Sequence, residues 1–248
     1  MKWDRGRVFW VVVVVLLALY AVFQLGDGNF LIGFALFVVV AVSLLLAITI
    51  HECGHAWMAD KLGDPTARYL GRLSLNPMVH LDPFGTMMML VTAATGMGIG
   101  WGKPVPVATH RLRFGRQLGN GIVALAGPTG NLLLATVLGL VWRLVRPLPL
   151  WPTLVVTSVV QTNIVIAIFN LLPLPPLDGY SVLLGLLSLS RHAWAWRASQ
   201  LMMRLQQQGP LMLILLILVP QFLGINLLGW LVGAPSRFFY RAIVGPLG

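Results

Sequence analysis

The chain predicts an all-α polytopic membrane protein with about five to six transmembrane helices, a small surface hairpin and a re-entrant element. Three observations carry that prediction. Of the 248 residues, 58% are hydrophobic and only 10% charged, against about 25% charged in a soluble domain. Mean hydropathy is +0.85. Several apolar runs approach or exceed the roughly 20 residues that cross a bilayer as helix, and Gly- and Pro-rich stretches separate them. No soluble stretch is long enough to build a core of its own.

Charge fits the same setting. The chain has 17 Lys and Arg against 7 Asp and Glu, a net charge of +10. The basic residues gather in loops, where they set topology and meet anionic headgroups. Nucleic acid is not an expected partner, because no aromatic–basic platform accompanies the charge. Cys53 is the single cysteine, so no internal disulfide can form.

Taken in order, Lys2, Arg5 and Arg7 precede an apolar run at 8–25. That run is longer than a signal-peptide h-region and lacks an A-x-A site, so an uncleaved first span with a cytoplasmic N-terminus is expected. Gly26-Asp27-Gly28-Asn29 turns the chain into a second span from Phe30 to about Leu62. Residues 63–85, rich in Gly, Pro and Asn, suggest turns and a small surface hairpin. Residues 86–101 are apolar but short and Gly-rich. The prolines of Lys103-Pro104-Val105-Pro106-Val107 extend the chain ahead of a basic loop with Arg111, Arg113 and Arg116. Long helices follow at 118–145 and 154–172, and the second breaks at Pro173-Leu174-Pro175-Pro176-Leu177-Asp178-Gly179 before resuming over 180–189. A basic, Trp-bearing piece at 191–204 reads as an interfacial helix. A last apolar stretch, 210–232, contains Pro220. The chain thus divides into a first helix and turn (1–29), a core (30–190, with 63–117 as its hairpin and re-entrant region and helices at 118–145 and 154–189), and an interfacial helix with a C-terminal transmembrane segment (191–248).

Chemistry concentrates at His51-Glu52-Cys53-Gly54-His55. On a helix, histidines at i and i+4 share a face and can meet one zinc ion, with the adjacent glutamate placed to take a proton from a bound water. A catalytic zinc site needs a third protein ligand. It is not a glutamate, since Glu52 is the only one. Asp60, Asp64, His80, Asp82, His110, Asp178 and His192 remain. Asp60 and Asp64 follow too closely on the same helix; Asp82-Pro83 is a turn pair with His80 beside it; His110 and His192 lie in basic surface stretches. Asp178 follows prolines that break a membrane helix, where an ionised carboxylate is costly unless a cation offsets it. It is the best third ligand.

Topology agrees. The second helix runs inward and puts His51 and His55 near its cytoplasmic end; two further crossings return Asp178 to that side. A full span over 86–101 would separate them and place Lys103, Arg111, Arg113 and Arg116 outside, so a re-entrant or surface element is expected. The same topology leaves Arg143 and Arg146 facing outward, against the charge rule.

His51-Glu52-Cys53-Gly54-His55, Ala126-Gly127-Pro128-Thr129-Gly130-Asn131 and the run from Asn170 through Pro173 to Leu177-Asp178-Gly179 occur in that order. With these three motifs the chain resembles the site-2 protease family of intramembrane zinc metalloproteases, over roughly residues 30–190. The resemblance implies one Zn2+ held by His51, His55 and Asp178, Glu52 as the base, and Asn170 and Pro173 positioning substrate. For Asn131 it implies a structural or substrate-contacting role. It implies cleavage of transmembrane or membrane-anchored proteins in a prokaryotic cell membrane, with the active site toward the cytoplasm. No stretch matches the PDZ or CBS domains of many relatives, so a minimal form is expected. A zinc transporter would have no need of Glu52 beside the ligands, and a non-catalytic scaffold usually loses the glutamate or a ligand. Lys103–Val107 reads equally as a connecting loop or as an edge on which substrate could add as a strand.

Overall fold

Among the described residues, the apolar run after residue 29 builds the longest helix, α1 (Phe30–Lys61). The computed structural model describes residues 30–95 and 100–245; the expected first span at 8–25 lies outside the described residues. At the end of α1, Gly63 takes φ +104°, a conformation that favours glycine. The Gly63 and Asp64 amides then donate to the carbonyls of Asp60 and Ala59, closing a Schellman motif that stops the helix.

Eight more α-helices follow: α2 (Thr66–Tyr69), α3 (Pro83–Thr95), α4 (Arg116–Val145), α5 (Leu150–Asn170), α6 (Asp178–Ser188), α7 (Ala193–Leu205), α8 (Gly209–Phe222) and α9 (Ala234–Val244). Among the described residues three helices, α1, α4 and α5, are long and apolar enough to cross a membrane. These correspond to the spans expected from Phe30, at 118–145 and at 154–172. They pack on one another, and α6 lies against α4 where Gly121 and Gly185 bring the backbones together. The largest apolar core cluster joins Ala135 and Trp142 of α4, Val160 and Ile164 of α5, and Ile243 and Val244 of α9.

Two expectations need correction. The surface hairpin expected within 63–85 does not form. Its turn-like polar residues end and start helices instead: Asn76 accepts the Met78 amide in a 3₁₀ turn, and Asp82 accepts the Gly85 amide at the start of α3. Among the described residues the strand pairing is a single antiparallel bridge between Leu81 and Gly102, supported by the Lys103 amide donating to the His80 carbonyl at 2.7 Å. The apolar stretch 210–232 is also not one continuous span. Helix α8 ends at Phe222, Gly224 turns the chain at φ +68°, and a π-helical turn (Gly229–Gly233) leads into α9. Pro220 lies inside α8, two residues before its end.

The bridge bears on the re-entrant element. At 13 residues, α3 is about 20 Å long, short of the roughly 30 Å hydrocarbon core. The chain then returns so that Gly102 pairs beside Leu81, where it left. Close approach makes the return possible: a Cβ on Gly85 would lie 2.0 Å from the Trp101 carbonyl oxygen, and one on Gly100 would lie 2.5 Å from Met89 Cβ. Both ends of the excursion therefore sit at the same place, as a re-entrant segment requires.

Candidate metal centre

Three helices supply the centre: α1 carries His51 and His55 on one face, α4 passes behind them, and α6 begins with Asp178. His51 Nε2 lies 3.0 Å and His55 Nε2 3.2 Å from Asp178 Oδ2. The imidazoles meet edge to face with centroids 4.6 Å apart. Among the described residues these three form the one group of His, Cys, Asp or Glu arranged to hold a metal ion.

Hydrogen bonding decides which atoms face the gap. His55 Nδ1 lies 2.8 Å from the Val123 carbonyl oxygen, which can only accept. His51 Nδ1 lies 2.7 Å from Asn131 Oδ1. The Asn131 amide group donates to the Ala47 carbonyl and to Asn163 Oδ1, each at 2.8 Å, which leaves Oδ1 as the acceptor. Asn163 is held in turn by donating to the Val159 carbonyl. Both Nδ1 atoms therefore carry hydrogen, and in neutral imidazoles both Nε2 lone pairs point at Asp178. Two lone pairs and a carboxylate, with Asp178 Oδ2 buried and without a hydrogen-bond donor, converge with no proton between them. Placing a second proton on each ring would set two cations side by side. A divalent cation resolves the arrangement, and the orienting partners are those a metal-ligating histidine uses.

Glycines let the elements close. A Cβ on Gly127 would fall 2.5 Å from His55 Nε2 and 3.0 Å from His51 Cε1, and one on Gly54 would fall 2.8 Å from the Ala126 carbonyl oxygen. Gly179 turns tightly against the end of α5, where a Cβ would meet the Leu171 carbonyl oxygen at 2.2 Å. As the first residue of α6, Asp178 also has its carboxylate at the favourable end of the helix dipole.

The competing ligand candidates are engaged elsewhere or exposed. Asp60 pairs with Arg68. Asp64 accepts from the Thr66 amide and hydroxyl and from the Ala108 amide. Burial pushes its carboxyl up, but those hydrogen bonds and the nearby Arg111 charge outweigh it and hold the group below the usual carboxylate value. Asp82 caps α3. His110 and His192 are exposed. His80 is fully buried, with Nε2 2.7 Å from the Ser74 carbonyl oxygen.

A cavity of about 1160 Å³ opens onto the centre, lined by Glu52, Val105, Asn170 and Val232 among others. Glu52 Oε1 lies 3.2 Å from where a Gly102 Cβ would stand, so the glycine leaves room for the carboxylate. Asn170 is at the cavity wall. Pro173 is exposed and does not line the cavity. Asn131 is fully buried behind His51, its Oδ1 on the His51 ring. Gly127, Asn163 and the Val123 carbonyl were not singled out from the sequence. Gly127 and Asn131 share one motif, and that was the available signal.

No family model matches the chain, and no solved structure matches it. Curated relatives do. "Putative zinc metalloprotease YwhC" of Bacillus subtilis is 39% identical over 150 residues, covering 57% of this chain and 66% of that protein. "Putative zinc metalloprotease Rip2" of Mycolicibacterium smegmatis is 34% identical over 151 residues, covering 59% of this chain and 56% of the relative. Rip2 of Mycobacterium tuberculosis is 36% identical over 152 residues with the same coverage. The chain spans between 56% and 66% of the length of these relatives. With relatives so named, the three motifs in order and the helices that bring their histidines and aspartate together, the chain belongs to the site-2 protease family of zinc metalloproteases.

Proposed function

We propose that the chain is an intramembrane zinc metalloprotease that hydrolyses peptide bonds in or near the transmembrane segments of membrane proteins. The observation that carries this is the convergence of His51, His55 and Asp178 at one wall of a cavity that Glu52 also lines. His51, His55 and Asp178 hold one zinc ion. Bound there, zinc supplies Lewis acidity to a water and to the scissile carbonyl. Glu52 takes the water's proton and delivers it to the leaving amine. Asn131 and the Val123 carbonyl keep both imidazoles aimed.

The substrate helix must open before a peptide bond becomes reachable, and its freed backbone groups need partners where water is scarce. The extended Lys103–Val107 segment runs along the cavity, with Pro104, Val105 and Val107 in its wall. We assign it the role of an edge that receives the opened substrate as an added strand, with Asn170 contacting the substrate nearby. We further infer a centre toward the cytoplasmic face of a prokaryotic cell membrane, an orientation supported by the charge of the basic loops.

Purified Glu52→Gln protein tests the reading, assayed with membrane-protein substrates in detergent or vesicles. The expected result is wild-type zinc content with cleavage reduced by about 10³-fold or more. Cleavage at the wild-type rate overturns it. Zinc flux into proteoliposomes without proteolysis favours a transporter instead.

A further inference from the structure

At the opposite end of α4 from the metal centre, the chain gathers a cationic site. Arg143 lies twelve residues beyond Asn131, about 18 Å further along the helix. There α9 docks on α4 and α5, with Ile243 and Val244 in the core beside Trp142. Gly139 permits the contact, since a Cβ there would meet Ile243 Cγ2 at 2.3 Å. Docking of that face turns Arg237, Phe238, Arg241 and Ala242 outward around a cleft of about 460 Å³. Arg143 joins from α4, its Nη1 donating to the Ala242 carbonyl at 3.5 Å. Arg146 stands 5.1 Å over the Trp142 ring.

Nothing within the described protein balances this charge. Among the described residues the close acid–base contacts are Asp60 with Arg68 and the two histidines with Asp178, and Asp178 is the last acid in the sequence. The arginines are interleaved with outward-facing apolar side chains: Leu144 is 84% and Phe238 69% exposed. In water alone that mixture leaves apolar area uncovered. At a bilayer interface it is matched, with aliphatic and aromatic groups among acyl chains and guanidinium groups at headgroup depth. The planar fork of arginine suits a phosphate, which accepts paired N–H bonds.

We propose that the α4–α9 junction binds the phosphate of an anionic phospholipid. Arg237 and Arg241 hold the headgroup, Arg143 closes its edge, and the acyl chains lie along Leu144 and Phe238. The site stands independently of the proteolytic reading. It also gives Arg143 and Arg146 a reason to sit where the charge rule does not place them.

The test is native mass spectrometry of the full-length chain in neutral detergent, titrated with phosphatidylglycerol, phosphatidylcholine or inorganic phosphate. Wild type should retain phosphatidylglycerol about tenfold better than phosphatidylcholine. Inorganic phosphate at millimolar concentration should not displace it. R237Q/R241Q should lose the preference, R237K/R241K should keep most of it, and zinc content, which reports the distant centre, should not change in either. Equal retention of the two lipids by wild type overturns the proposal, and this comparison needs no variant. So does displacement by inorganic phosphate, which assigns the site to a free anion. Undiminished preference in folded R237Q/R241Q places lipid binding elsewhere and overturns it too.

Discussion

Gly127 of α4 lies flat against the His55 imidazole, so close that a Cβ at this position would stand 2.5 Å from Nε2, the atom that faces Asp178. The contact makes the absence of a side chain a condition of the site. Gly127→Ala must push the imidazole off its aim or α4 away from α1. Overpacking of this kind costs about 1–3 kcal/mol, so zinc affinity should fall by about 10- to 100-fold while helical content stays the same. Equilibrium dialysis with circular dichroism checks it, and wild-type affinity would show that the rings are not held by α4.

Asn131 accepts from His51 and donates to Ala47 and Asn163 in one buried network. Removing an orienting partner of a metal ligand typically lowers metal affinity about 10- to 100-fold. Asn131→Leu should show that loss together with a lowered melting temperature, because the buried Asn163 Oδ1 loses its donor. Asn131→Asp keeps the acceptor and should recover more zinc affinity than stability. A merely space-filling asparagine predicts no such split.

Gly179 sits one residue from the carboxylate ligand and against the end of α5. With 2.2 Å available to a Cβ beside the Leu171 carbonyl oxygen, Gly179→Ala should displace the start of α6 and draw Asp178 from the histidines. Zinc per chain and proteolysis should fall together, by about tenfold or more. Normal zinc content with lost proteolysis would point to a role in substrate binding instead.

Asp64 ties the end of α1 to the segment entering α4, and its carboxyl is held below the usual range. A depressed folded-state value means that the ionised group stabilises the fold above the ordinary carboxylate pKa. That contribution fades as pH falls through the folded value. Hydrogen exchange at the Ala108 amide should therefore keep its protection from pH 7 to about pH 5 and lose it below about pH 4. Asp64→Asn should weaken protection already at neutral pH, by about 1–3 kcal/mol, and remove the acid-dependent step. An acid-dependent step unchanged in Asp64→Asn would assign it to another carboxylate.

The parts of this architecture legible from sequence are those governed by local pattern. Hydropathy placed the helices that became α1, α4 and α5, and histidines four apart on an apolar helix announced the centre. Asp178 was legible because an acid beside a Pro-broken membrane helix needs a cation. The hairpin misreading came from Asn76 and Asp82, whose side chains cap helical turns as readily as they form strand turns. Pairing between Leu81 and Gly102 depends on an excursion that leaves and returns, which no local window contains. Gly127 and Asn163 act through contacts with helices distant in sequence, so their side chains, or lack of them, acquire meaning only once α1, α4 and α5 meet. Proline at 220 leaves the geometry of the last apolar stretch open in the sequence; it lies inside α8, and the turn comes later, at Gly224.

X-ray absorption at the zinc edge of the purified full-length chain tests the central claim most directly. The spectrum should show one zinc per chain with two imidazole nitrogens and the remaining ligands oxygen, and Asp178→Ala should lose most of the bound metal. A sulfur shell, which could come only from Cys53 or methionine, would contradict it. So would a protein that binds no zinc, or an Asp178→Ala variant that binds it unchanged.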